Sequence, residues 1–345
     1  MKRLWISLVV VVAFTSMLIG AICQAASAPA APARAVELAQ AAPAPKASFP
    51  IPGRPVTVIV PYAPGGGTGI AAVEMSALLE KDLKTPFQVV YKPGAGAQIG
   101  LTELARAKPD GYTIGWVGNP TAVVTYLDPD RKAVYTRRSF QPVGMHFTSP
   151  CVVAVLATSL YKTIKDLIDA AKAKPGTIKV GTMGLMTSAH QAGLLLEQAA
   201  GVKFAYVHFD GDAPAATAQL GGHIDLTFHA ITGIVQHIKS GAIRPLAVMD
   251  SEESAFLPGV KTLAALGYKV EMGVYNGVNA PAGIPHDALD ALTQAIKRNI
   301  SRDDHIKKMD QLGYTLRYLN PERYAALWAQ LEAQTQPLME QSKKQ

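Results

Sequence analysis

The stretch VTVIVPYAPGGGTG at residues 56–69 decides the fold class, because it joins an apolar strand to a glycine-rich turn and then to a helix. Residues 56–62 are rich in β-branched side chains, which is typical of a strand, and apolar positions recur at helical spacing over 70–83. The same order returns in YKPGAGAQIG at 91–100, which leads into a predicted helix at 99–107. Strands that alternate with helices across short turns indicate an α/β fold.

A second series of strands and helices follows the first. Further strands are predicted at 87–91, 112–117, 151–156, 178–183, 205–209, 224–228, 243–249 and 269–279, and further helices at 164–173, 188–201, 214–220, 231–239, 286–300, 303–312 and 321–342. Two such series contain more residues than a single hydrophobic core usually accommodates. We therefore expect two lobes, each a mostly parallel sheet flanked by helices. Extended chain near 140–150 and 247–276 is expected to cross between them. Lobe 1 is predicted over 48–148 and 272–345 and lobe 2 over 149–271, with a ligand cleft between the lobes.

The N-terminus has the features of an export signal. Lys2 and Arg3 precede an uncharged apolar stretch over 4–23, and small residues follow at 24–28. This pattern predicts a cleavable signal peptide over 1–25 and a periplasmic protein; an uncleaved membrane anchor is the alternative interpretation. Residues 26–47 are dominated by Ala and Pro and are predicted to form a linker.

Composition excludes several classes of protein. Of the 345 residues, 49% are hydrophobic and 17% are charged, which indicates a globular protein rather than a disordered or fibrous chain. The formal net charge is +7, but no long basic run concentrates it, so we expect no nucleic-acid partner. If Cys23 leaves with the signal, Cys151 has no disulfide partner, and its apolar surroundings predict a small core residue.

Four loops rich in Gly, Ser or Thr follow predicted strands and precede helices. They lie at 64–69, 93–98, 181–188 and 210–214. In open parallel sheets such loops lie at the carboxyl ends of the strands, where ligands bind. Each loop offers free backbone N–H groups and the positive end of a helix dipole, which favour an anion. Two loops belong to each lobe, so we expect them to converge on one anionic ligand across the cleft.

The motifs of nucleotide sites and hydrolases are missing. No loop carries Gly-Lys-Ser/Thr, the stretch at 94–100 misses the dinucleotide fingerprint by one residue, and there is no G-x-S-x-G elbow. The histidines at 208, 223, 229 and 237 lack the spacing of metal ligands. The sequence therefore predicts no cofactor, no metal and no enzymatic activity.

Five motifs together resemble the substrate-binding proteins of tripartite tricarboxylate transporters, the Bug or TctC-like family. They are VIVPYAPGGGT at 58–68, PGAG at 93–96, AKPDGYT at 107–113, GGHID at 221–225 and APAGIP at 280–285, in the order that the family has them. The resemblance spans roughly 50–345. It implies a type II periplasmic binding-protein fold that captures small carboxylates and delivers them to membrane permease subunits.

The resemblance also implies a set of ligand-binding residues. In that family, backbone amides of the first two loops, helped by ordered waters, hold one carboxylate. The matching positions are Ala63, Gly65, Gly66, Gly67 and Thr68 in the first loop, Gly94, Ala95, Gly96 and Ala97 in the second, and Gly184, Thr187, Ser188 and His190 in lobe 2. Three positions depart from the family pattern: Gly69 replaces a common Asp, Lys92 a common Asn and Met186 a common Gly.

We therefore expect a non-enzymatic, monomeric periplasmic receptor for a small carboxylate. The missing Asp at position 69 argues against an amino-acid ligand, whose ammonium group would need a carboxylate. A dicarboxylate with an apolar or aromatic spacer is expected, with Tyr62 and Met186 flanking its apolar middle. The alternatives are a periplasmic sensor or signalling partner that binds the same ligand and, at a greater distance, an enzyme like the α/β hydrolases.

Overall fold

The fold is built on a mixed sheet of ten strands in a computed structural model that describes residues 49–65, 67–209 and 212–343. The strands are β1 (Val56–Val60), β2 (Phe87–Tyr91), β3 (Thr113–Asn119), β4 (Phe140–Leu156), β5 (Lys179–Thr182), β6 (Ala205–His208), β7 (Leu226–Ala230), β8 (Ile243–Val248), β9 (Gly273–Pro281) and β10 (Thr315–Leu319). The helices are α1 (Gly67–Leu83), α2 (Gln98–Arg106), α3 (Thr121–Leu127), α4 (Ile164–Ala173), α5 (Ser188–Ala200), α6 (Asp212–Leu220), α7 (Ile231–Lys239), α8 (His286–Ile300), α9 (Asp303–Gln311) and α10 (Pro321–Ser342). The predicted signal peptide at 1–25 and linker at 26–47 lie outside the described residues, as does Gly66.

Parallel pairing brings the predicted loops to common edges of the sheet. β1 pairs in parallel with β2 and β3, and β5 pairs in parallel with β6 and β7. The register joins Val60 to Tyr91 and Thr182 to His208, so neighbouring strands end side by side. This arrangement confirms the predicted α/β fold class.

β4 makes the sheet mixed rather than mostly parallel. Its first part, Phe140–Pro150, pairs antiparallel with β9, and its last part, Cys151–Val155, pairs antiparallel with β7. β8 and β10 also pair with β4, and β9 pairs antiparallel with β3. The segment at 140–150, predicted only as an extended crossing, is therefore part of a strand of 17 residues. The lobe boundaries drawn from the sequence stay a prediction.

Separate apolar clusters stabilise the two ends of the sheet. One buries β1, α1 and α8 around Trp116, and a second buries Cys151 with α4 and α5. Cys151 is fully buried, which confirms its prediction as a core residue. No helix within the described ranges is long and apolar enough to span a bilayer.

The C-terminal helix α10 contacts both strand β4 and helix α5. Near its start, Trp328 is fully buried and stacks on Phe140 of β4 with ring centroids 5.5 Å apart. Near its end, Leu338 packs with Leu194 of α5, and the Thr335 hydroxyl donates a hydrogen bond of 3.0 Å to Gln191. α10 therefore reaches from β4 to helix α5, and its predicted place in lobe 1 stays a prediction.

Candidate functional site

Residues 61–65 and 67–68, which contain the described part of the first loop and the residues that precede it, follow β1 and are held by contacts with neighbouring segments. The Tyr62 hydroxyl donates to the Gly118 carbonyl at 3.2 Å, and burial raises the pKa of this phenol well above its usual value. The Thr68 hydroxyl donates to Oδ1 of Asn276 at 2.9 Å, and Gly67 accepts a hydrogen bond from the Tyr314 hydroxyl. These contacts order the loop while Ala63 and Gly65 stay exposed.

The second loop, residues 92–97, lies beside the first because β1 and β2 end together. Residues Gly94, Ala95, Gly96 and Ala97 all have positive φ, at 126°, 48°, 61° and 80°. A residue with a Cβ adopts this region at a cost of roughly 1–2 kcal/mol. The two alanines therefore store strain next to the start of α2, a pattern that is common at ligand sites.

Backbone N–H groups on both loops are available to an anion. Within the described ranges, no hydrogen bond involves the N–H groups of Ala63, Gly65 or the four residues Gly94–Ala97. All of these residues except Ala97 are exposed. Unpaired N–H groups at the start of a helix form a site for a carboxylate or a similar anion.

Two of the departures from the family pattern have a physical explanation. A Cβ added at Gly69 would lie 2.9 Å from Cε1 of Tyr91, so the tyrosine ring fills the space that an Asp side chain would need. The Lys92 ammonium lies 3.2 Å from the Glu103 carboxylate, and both side chains are substantially exposed. Lys92 is thus part of a solvated ion pair rather than an isolated counter-charge.

The third loop, residues 183–187, is ordered by the histidine that follows it. Nδ1 of His190 accepts a hydrogen bond of 3.0 Å from the Met186 N–H, so the imidazole is the neutral tautomer with its proton on Nε2. Gln191 donates to the Met186 carbonyl at 2.9 Å, and the Thr187 hydroxyl donates to the Gly184 carbonyl. His190 is 1% exposed, as expected for a residue that holds the loop in place.

Met186 does not present its side chain at the loop surface. It is 4% exposed and packs with Val124, Leu194, Leu338 and Met339. Residues of α3, α5 and α10 enclose this side chain, and its predicted contact with the apolar middle of a ligand stays a prediction. Ser188, also predicted as a ligand-binding residue, is buried at the start of α5.

The end of β6 contributes residues that the sequence interpretation did not select. His208 stacks edge-on against His190 with ring centroids 4.8 Å apart, and its Nδ1 lies 2.6 Å from the Thr182 hydroxyl. A surface depression of about 470 Å³ adjoins these residues and Leu185 of the third loop. The following loop at Asp210 and Gly211 lies outside the described residues.

Arg131 is the functional candidate that sequence reasoning missed. It follows α3, and its Nη1 donates to the Ala95 carbonyl at 3.1 Å. The interpretation of the sequence assigned no arginine to the loops, because no local pattern joins residue 131 to residue 95. A depression of about 550 Å³ lies between Arg131 and α2. Among the described residues, no cluster of His, Cys, Asp or Glu is suited to hold a metal ion.

Known proteins are similar to this chain over most of its length. The family model for the tripartite tricarboxylate transporter family receptor, TctC, matches residues 71–343. A UPF0065 protein of Pseudomonas sp. strain P51, from the tcbD-tcbE intergenic region, is 32% identical over 80% of this chain and 83% of its own.

Solved structures agree with the sequence comparison. A TctC solute-binding protein from Polaromonas superposes with a TM-score of 0.76 at 26% identity, over 85% of this chain and 100% of its own. MatC from Rhodopseudomonas palustris, solved with bound malate, superposes with a TM-score of 0.69 at 25% identity, over 84% of this chain and 99% of its own. The chain therefore belongs to the TctC, or Bug, family of tripartite tricarboxylate transporter receptors, which are periplasmic solute-binding proteins.

Proposed function

We propose that this protein captures a small dicarboxylate with an apolar or aromatic spacer in the periplasm and delivers it to membrane permease subunits, without catalysing a reaction. The observation that carries this proposal is the set of unpaired N–H groups on the first and second loops, on residues that are all exposed except Ala97. These groups lie at the adjoining ends of β1 and β2, where a single carboxylate contacts both loops.

The charges around the first two loops argue against a tricarboxylate or an amino acid as the ligand. Lys92 is paired with Glu103, and the Arg131 side chain lies 3.4 Å from that of Asp128, so neither is a dedicated charge for a tricarboxylate. Tyr91 fills the space beside Gly69, so no carboxylate is available there for an ammonium group. The malate bound by MatC supports a dicarboxylate as the ligand class.

The second carboxylate is assigned to the loops of lobe 2. Gly184 and Thr187 lie between β5 and α5, and Ser188 is the first residue of α5, two residues before His190. Since Met186 is enclosed, the apolar middle of the ligand is assigned to Tyr62 alone. Closure of lobe 1 (48–148 and 272–345) on lobe 2 (149–271) would bring the two sets of loops onto one ligand.

A thermal-shift panel tests the ligand class. The panel contains C4 to C8 dicarboxylates, terephthalate, malate, citrate, glutamate and monocarboxylates. A ligand at about a hundred times its dissociation constant adds about 2.7 kcal/mol, which raises the midpoint by several degrees in a protein of this size. We expect the apolar-spacer diacids to give the largest shifts; a large shift with citrate or glutamate and none with those diacids would overturn the specificity.

Export and delivery require separate tests on the full-length chain. N-terminal sequencing of the periplasmic fraction should begin near Ala26, whereas recovery of residues 1–25 in the membrane fraction would favour the anchor. The mature protein should elute as a monomer. Ligand-dependent capture of permease subunits from membranes would support delivery, and capture of a signalling protein instead would support a sensor.

A further inference from the structure

The second loop holds a backbone conformation that its own sequence disfavours. Four consecutive residues, Gly94–Ala97, have positive φ, and two of them are alanines. Glycine adopts such angles without a steric cost, but an alanine does not. A local bond from the Gln98 N–H to the Ala95 carbonyl at 3.3 Å supports this turn, and contacts from other segments add to it when no ligand is bound.

Arg131 contacts the middle of the strained segment and the residue that follows it. Its Nη1 donates to the Ala95 carbonyl at 3.1 Å, and its own carbonyl accepts a hydrogen bond of 2.8 Å from the Gln98 side chain. The Asp128 carboxylate lies 3.4 Å from Nε of Arg131 and orients the guanidinium. One residue thus holds both the middle of the loop and the first residue of α2.

Because of the geometry of the peptide bond, the contact between Arg131 and the Ala95 carbonyl also sets the direction of the next N–H group. In a trans peptide the carbonyl of one residue and the N–H of the next point in opposite directions. Because the Ala95 carbonyl faces Arg131, the Gly96 N–H points away from Arg131. The same geometry explains the glycine, since a Cβ at position 96 would lie 3.0 Å from Nη1 of Arg131.

We propose that Arg131 is a positioning residue that holds the second loop in the shape that binds the ligand's carboxylate. This inference rests on the proposed function and names a residue behind the loop rather than one that touches the ligand. A carboxylate bound to the Gly96 N–H lies on the face of the peptide opposite the guanidinium. Arg131 therefore acts through the backbone and not as a counter-charge.

NMR relaxation of the ligand-free mature protein tests the positioning role directly. The backbone order parameters of Ala95 and Gly96 should be near 0.85 in the wild type and should fall below about 0.6 in Arg131→Ala. Arg138→Ala is the matched control, because it removes the same charge from an exposed position in the same connecting segment. Unchanged order parameters in Arg131→Ala would overturn the proposal, and the remaining backbone spectrum shows whether the variant is folded.

Calorimetry with adipate then separates positioning from direct charge contact. Arg131→Ala should weaken adipate binding more than tenfold, and adding Ala95→Gly should recover at least threefold of that loss, because glycine adopts the required φ without Arg131. A loss without recovery would overturn positioning in favour of a counter-charge, and an unchanged affinity would also overturn it. Failure of the wild type to bind adipate counts against the proposed specificity, while the relaxation experiment still decides the role of Arg131.

Discussion

Gly96 combines a positive φ with a close neighbour, so its replacement tests the second loop at the scale of one residue. We expect Gly96→Val to weaken dicarboxylate binding more than tenfold, which is about 1.4 kcal/mol. A β-branched side chain is strained at a φ of 61°, and its Cβ would displace the Arg131 guanidinium. Calorimetry on the folded variant measures the loss.

Gly222→Val is the matched control for that experiment. Gly222 has a similar φ of 71°, but a Cβ there would meet no atom within 4 Å, and the residue lies far along the chain from the second loop. This control should lose stability and keep its affinity. Equal affinities of the wild type and Gly96→Val for the ligand would show that the second loop is not part of the binding site.

Gly69 is explained by packing, and this explanation can be tested without a ligand. Gly69→Ala places a Cβ 2.9 Å from the Tyr91 ring and should destabilise the protein by about 1–3 kcal/mol. The same substitution in a Tyr91→Ala background should cost much less, because the ring is gone. Urea denaturation of the wild type, the two single variants and the double variant gives the coupling free energy between positions 69 and 91. An equal loss of stability on Gly69→Ala in both backgrounds would contradict the steric explanation.

Some residues of the candidate site could be predicted from sequence, and others could not. Glycines at 65, 94 and 96 mark loops because a turn after a strand leaves a local pattern. Arg131 has no such local pattern, because its contact with Ala95 joins residues 36 positions apart. The burial of Met186 could not be predicted from the sequence either, because it depends on contacts with Leu338 and Met339 of α10.

At the scale of elements, the end of α10 tests the contact between this helix and α5. Leu338 is 1% exposed, so Leu338→Ala should destabilise the protein by about 2–5 kcal/mol. With a shift of about 2–4 °C per kcal/mol, the thermal midpoint should fall by 4 °C or more. Gln336→Ala changes an exposed residue of the same helix and should stay within about 0.5 kcal/mol of wild type. Equal midpoints for both variants would contradict the packing of α10.

A buried pair of histidines between β4 and α9 predicts sensitivity to acid. Nε2 of His146 lies 2.8 Å from Nε2 of His305, and the rings are stacked. Burial lowers the pKa of both imidazoles from 6.5, and the mutual repulsion of two charged rings lowers that of His146 further. Glu74 and Asp304 face His305 and act in the opposite direction, and Arg302 reinforces the lowering.

The lowered pKa values of His146 and His305 make the folded protein less stable in acid. Since the unfolded histidines bind protons below pH 6.5 and the folded ones resist them, stability falls as the pH drops below 6.5. The loss is at most about 1.4 kcal/mol per pH unit for each imidazole. Denaturation at pH 7.5 and 5.5 should show a smaller acid loss in His305→Gln than in wild type. The exposed His286→Gln control should keep the full loss, and identical losses in all three would contradict this assignment.

Elements with strong periodicity were predicted well, and those defined by tertiary pairing were not. Helices such as α4 and α8 have a clear apolar face. The first part of β4 contains Pro142, Gly144 and Pro150, which argue against a strand, and shifts of register accommodate Pro142 and Gly144 in the pairing with β9. All residues of β10 are partly buried, so the strand shows no alternation between a buried and an exposed face.

At the scale of the whole molecule, one long strand connects the two groups of parallel strands. β4 pairs with β9 before Pro150 and with β7 after it, and Asp250 and Arg317 form a bidentate ion pair near this change of partner. The proposed closure of the two groups of loops around a ligand would act across this connection. The fold class could be predicted because each half repeats the same strand–loop–helix unit.

Backbone amide mapping of a ligand titration tests the central claim most directly. We would titrate the ¹⁵N-labelled mature protein with the diacid that gives the largest thermal shift. We expect saturable changes that are largest at the N–H groups of Ala63, Gly65 and Gly94–Ala97, where the carboxylate would bind. Saturable changes centred elsewhere, for example at the cavity lined by Asp250 and Arg317, would contradict it.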